Sequence, residues 1–92
     1  MKVITPTIGR QVWFWNAAPS NREEQPCAAT VVYVWNDRMV NLQVIDHGGE
    51  ARSRTSVPLR QPEDPTPGGM FCEWMPFQVG QAKAQEAEKA PG

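Results

Sequence analysis

The sequence predicts a small all-β barrel, and three observations carry that expectation. The apolar residues are mostly β-branched or aromatic: nine Val and three Ile stand against two Leu, with eight Trp, Tyr and Phe. Such side chains fit a pleated, half-covered surface better than a helix. Nine Pro and seven Gly in 92 residues break the chain into short pieces, and the pieces between them alternate with a period of two. A chain of this length holds one domain, expected over residues 1–80, with residues 81–92 as a disordered or transiently helical tail.

The elements follow in order. Residues 1–9 are a lead-in, with Val3 and Ile4 placed to pair at a sheet edge before Pro6 and Gly9 bend the chain. Residues 10–16, RQVWFWN, form the first strand, with Val12 and Phe14 on one face and Trp13 and Trp15 on the other. Residues 17–26 are a long polar loop, where Ser20 to Glu24 offer a start for one helical turn that Pro26 would end. Residues 27–36, CAATVVYVWN, form the second strand, with Val32 and Val34 opposing Val31, Tyr33 and Trp35. Asn36-Asp37 is a turn pair.

Residues 39–46 alternate most cleanly, with Val40, Leu42 and Val44 inward and Asn41 and Gln43 outward. His47-Gly48-Gly49 makes a tight turn into residues 50–57, where Arg52 and Arg54 share a face. Pro58 must then lie at a strand end or an edge, and residues 58–69, with four Pro and two Gly, read as a rigid extended loop. Residues 70–76, MFCEWMP, form the fifth strand. Five or six short strands with a long first loop are the layout of an SH3-like barrel. The alternative, an OB-type barrel, usually carries a helix between its third and fourth strands, and here only His47-Gly48-Gly49 fills that slot.

The segments Asp37-Arg38-Met39-Val40-Asn41-Leu42, Arg54-Thr55-Ser56-Val57-Pro58-Leu59 and Phe71-Cys72-Glu73-Trp74-Met75-Pro76-Phe77 resemble a family of small phage- and prophage-encoded proteins of unknown function. The resemblance runs over residues 3–82. It implies a bacterial or phage gene product made in the bacterial cytoplasm, and it brings no assigned activity, catalytic residue or cofactor. The N-terminal stretch agrees with that compartment, because Thr5, Pro6 and Thr7 interrupt what would be the apolar region of a secretory signal. Cys27 and Cys72 are accordingly expected as reduced thiols.

Catalytic and metal chemistry find little support. His47 is the sole histidine and sits in a glycine turn, where a solvated turn residue explains it. Glu23-Glu24 and Glu63-Asp64 lie in loops, where solvated charge explains them equally well. Cys27, His47 and Cys72 lack zinc-ligand spacing. No cofactor is expected, and no apolar run approaches the ~20 residues that cross a bilayer.

Binding remains. If Val12, Phe14, Val32, Val34, Val40, Leu42 and Val44 fill the barrel, then Trp13, Trp15, Tyr33 and Trp35 point outward. They either anchor a protein partner or a second copy, or lie under the loops as a second core. Arg52 and Arg54 are expected as a charged rim. A nucleic-acid reading would use the same aromatics for base stacking with Arg52 and Arg54 against phosphate. The net charge of −1 and three Lys disfavour it.

Overall fold

The computed structural model describes residues 3–21 and 23–81; from residue 82 onward the expected tail lies outside them. Among the described residues, β1 (Gln11–Trp15), β2 (Cys27–Asn36), β3 (Met39–Ile45), β4 (Ala51–Arg60) and β5 (Phe71–Glu73) close a barrel in the order β1-β2-β3-β4-β5. All neighbouring pairs are antiparallel except β4–β5, and β1 pairs β5 to complete the ring. Because consecutive strands are neighbours throughout, the order is the SH3-like one and not the Greek key of an OB-fold.

Val12 and Phe14 of β1, Val40, Leu42 and Val44 of β3, and Val57 and Leu59 of β4 fill the interior, with Cys72 and Trp74. The inward set of β2 departs from simple alternation. Val31 pairs with Leu42 but Tyr33 pairs with Asn41, so Val32 is an extra, bulged residue. Ala29 and Val31 are therefore the core residues, and Val32, expected inside, is 46% exposed. The bulge also resets the parity. Val34 returns to pack on the core, and Tyr33 and Trp35 face out.

β2 shifts register again between Val34 and Asn36, which pair with Val40 and Met39, so Trp35 is also an extra residue, and a third bulge lies in β4. Val40 pairs with Val57 and Leu42 with Arg54, so Thr55 and Ser56 together oppose Asn41. Ser56 takes a φ of +52° there, a conformation that is uncommon away from glycine. The strand continues three residues into the expected proline-rich loop. Pro58 is tolerated inside it because the ladder resumes at once, with the Leu59 amide donating to the Arg38 carbonyl at 2.9 Å. At the other end of the chain the expected fifth strand is shorter than the sequence suggests. Residues 76–81 are helical, starting at Pro76, whose missing N–H costs nothing in a first turn.

Gln61, 2% exposed, lies just past β4. Its amide nitrogen donates to the carbonyls of Ile4 at 3.0 Å and Asp37 at 2.7 Å. Its amide oxygen accepts from the Ile4 N–H at 2.9 Å and the Trp74 indole N–H at 3.2 Å. All four hydrogen-bonding positions of the side chain are used, and they join the lead-in, the β2–β3 turn and the residue after β5.

The two cysteines flank Phe14 on opposite sides of β1, Cys27 through the β2 register and Cys72 through the β5 register. Two strand spacings put their Cα atoms roughly 9–10 Å apart, beyond the ~7 Å that a disulfide spans, and both are free thiols. Burial pushes the Cys72 thiol up to about 12, whereas Cys27 is half-buried at the strand end. Iodoacetamide at mildly alkaline pH is expected to add one label, at Cys27, with Cys72 reacting only after denaturation. Mass spectrometry showing both thiols of the native protein labelled at similar rates would contradict this packing.

Candidate functional site

Strand registers define what the barrel shows to solvent. Residues directly opposite each other across a ladder point to the same side. One outward row therefore runs Trp13, Ala28, Ile45, Ala51, and the next runs Gln11, Thr30, Gln43, Ser53. Beyond them Tyr33 pairs with Asn41, and Trp35 follows. None of these side chains is charged, and β1, β2 and β3 contain no charged residue at all.

Tyr33 and Trp35 are 47% and 56% exposed. Their rings meet edge-on, with centroids 4.8 Å apart and planes at 70°, a favourable aromatic arrangement. Asn41 holds this pair in place. Its Oδ1 accepts from the Trp35 indole N–H at 2.9 Å and from the Ser56 backbone N–H at 2.8 Å. One side chain thus satisfies the bulge of β4 and orients the Trp35 ring. Sequence reasoning assigned Asn41 only to the water face. Its signal was present, because Asn is depleted in strands unless it has local hydrogen bonds to make.

Trp13 and Trp15 belong to a different neighbourhood. From the Ala28 partner of Trp13 to Tyr33 is five residues, roughly 17 Å along β2. Trp15 is half-buried, stacked on the buried Phe71 with centroids 6.5 Å apart. Its indole N–H donates to Glu73 Oε2 at 2.7 Å, while Glu73 Oε1 accepts from Arg60 at 3.0 Å. Trp15 is thus half-covered by its β5 neighbours rather than by a loop, whereas Tyr33 and Trp35 are open to solvent.

Arg52 and Arg54 do not join the aromatics. Arg52 pairs with Val44 and Arg54 with Leu42, so both leave β4 on the side opposite the uncharged face. Arg52 instead contacts Asp46 at 3.4 Å and Glu50 at 3.3 Å, and Arg54 donates to the Ser53 carbonyl. The Glu50 backbone N–H, then Arg52 and the Gly48 N–H, hold the Asp46 carboxyl below its usual range. Asp64 is lowered likewise by Arg38, 2.9 Å away, and by the Gln61 backbone N–H. These exposed pairs organise loops and add little stability.

The remaining chemistry-bearing residues gather around an open hollow of about 690 Å³, where Glu23, Glu24, Cys27, Asp46 and His47 surround Trp15. His47 donates from Nε2 to the Pro26 carbonyl at 3.1 Å, Asp46 is spent on its own turn, and Glu24 accepts from the Ser20 backbone and hydroxyl. His47, Asp46 and Glu24 are thus each committed to holding a loop. Among the described residues, no three His, Cys, Asp or Glu side chains form a metal-holding group, and no helix is long and apolar enough to cross a membrane.

Comparison with known proteins returns no matching family model, no matching curated sequence and no matching solved structure. The site therefore rests on its own geometry.

Proposed function

We propose that this chain is a non-enzymatic protein-binding or structural module that works through the outer face of β2, β3 and β4, with Tyr33 and Trp35 as its anchors. The observation that carries this reading is an exposed aromatic pair, locked by Asn41, on a sheet face without charge. Solvated sheet faces are normally polar and charged. Rigid aromatics beside small neutral residues are the composition of an interface centre, where charge is depleted and little rotamer entropy is lost. The sequence resemblance adds the context, a phage or prophage gene product acting in the bacterial cytoplasm. A nucleic-acid-binding barrel is the weaker reading, because base stacking needs cations beside the rings and Arg52 and Arg54 project from the other side of β4.

Replacing Trp35 with alanine tests the face. Trp35 is exposed, and Asn41 keeps its bond to Ser56 without it, so the stability loss is expected to stay near ~1 kcal/mol. Loss of an interface anchor weakens binding by at least ~2 kcal/mol, roughly 30-fold. A photo-crosslinking amino acid at position 35 is expected to give protein adducts in bacterial lysate. Low-salt affinity for a single-stranded oligonucleotide that is lost in Trp35→Ala would favour the nucleic-acid reading instead.

A further inference from the structure

We infer that the partner on this face is a second copy of the chain, seated by a twofold axis that runs across the strands near Thr30 and Gln43. This rests on the proposal that the face binds protein, and it names the occupant. Two features of the face point to self-pairing.

The first is charge. In a twofold contact each patch meets itself, so any charge near the axis faces its own sign. Across β2, β3 and β4 the outward rows through Ala28 and Thr30 carry none, and charge enters the Ala28 row only past Trp13, at Glu73, which leaves nothing beside the axis to repel an identical surface and nothing there to attract a charged one.

The second is relief. The face is bulky at one end, with Tyr33 and Trp35, and low at the other, with Ala28 and Ala51 flanking Ile45. Ile45 is 37% exposed. An axis across the strands turns the face end for end. The bulky end of each copy then lies over the low end of the other, and Trp35 reaches the Ala28–Ile45 surface of its mate. Small residues at the low end let the two sheets approach the ~10 Å of packed sheets.

The patch is about two strand spacings wide and seven residues long, roughly 400 Å² per copy with its side chains. That is about half the ~800 Å² each partner contributes to a standard interface. The pair is therefore weak and concentration-dependent.

Sedimentation equilibrium of the full chain, from micromolar to millimolar, tests this. The parent is expected to pass from monomer to dimer. Gln43→Lys and Gln43→Glu, each placing like charges beside the axis, are each expected to weaken dimerisation at least tenfold with circular dichroism unchanged. An equimolar mixture of the two is expected to recover the dimer, because only a contact of position 43 with itself turns repulsion into attraction. A parent that stays monomeric, single variants that pair as well as the parent, or a mixture that fails to recover would each overturn the inference. The broader reading is judged separately by the position-35 crosslinks. Adducts to other proteins from a monomeric parent leave the face intact and remove the twofold pair, a dimer unaffected by Trp35→Ala removes the twofold pair alone, and a position-35 crosslinker that captures no protein, this chain included, removes both.

Discussion

Replacing Gln61 with leucine is expected to destabilise the domain by ~3 kcal/mol or more, lowering the melting temperature by at least ~12 °C. The side chain is isosteric enough to fit, so the loss comes from its partners. The Ile4 carbonyl, the Asp37 carbonyl, the Ile4 N–H and the Trp74 indole N–H all lose the group they bond. An orphaned buried polar group costs about 1–3 kcal/mol, and some of these four regain water at the rim. Gln61→Glu separates the polar account from simple packing. It keeps the volume but replaces the donating NH₂ with an oxygen that faces two carbonyls. The charged form is disfavoured there, so the folded-state pKa of the new carboxyl rises above its unfolded value. Its penalty is then small below pH ~4 and grows as the pH rises through the folded pKa. Thermal melts at acid and neutral pH check this. If Gln61→Leu is as stable as the parent, the four-way junction does not hold the fold together.

Phe14→Ala is expected to cost ~3–5 kcal/mol. Phe14 is 2% exposed and stands between Cys27 and Cys72 in adjacent ladders, at the seam where β1 closes the barrel onto β5. Its removal takes away the transfer energy of the ring and leaves a cavity that short neighbouring side chains cannot fill. A domain of this size has only about 5–14 kcal/mol in total, so the variant sits near its unfolding threshold. Urea denaturation measures the loss, and the thiols report its location. Cys72 should become alkylatable in the variant under native conditions, while Phe14→Leu, which keeps most of the volume, should leave it protected. A loss below ~1 kcal/mol would place Phe14 outside the core.

Much of the architecture was legible in the residues. The five strands, the long first loop, the tight Gly48-Gly49 turn and the inward set Val12, Phe14, Val40, Leu42 and Val44 all follow from β-branched alternation between turn residues, because side-chain direction along one strand is a local property. The outward direction of Tyr33 and Trp35 was legible too, although Val32 was assigned inward and lies outside, while Val31 took its place. Alternation counts residues and cannot see an extra one. The bulge at Val32 is visible only in the pairing of β2 with β3, where Val31 opposes Leu42 and Tyr33 opposes Asn41.

Three matters were decided only by the tertiary structure. Which face of β4 carries Arg52 and Arg54 depends on which partners they oppose, and Leu42 and Val44 put them away from the aromatics. Whether a tryptophan is open or covered depends on what crosses above it, which separates Trp15 on Phe71 from Trp35 in solvent. Gln61 reads as one polar residue in a proline-rich loop and becomes a buried junction only when Ile4, Asp37 and Trp74 arrive from elsewhere in the chain. The sequence by itself determined the strands and their two-sidedness, since these depend on nearest neighbours. Closure of the barrel decided the rest, because shared faces, cover and hydrogen-bond satisfaction belong to pairs of residues distant along the chain.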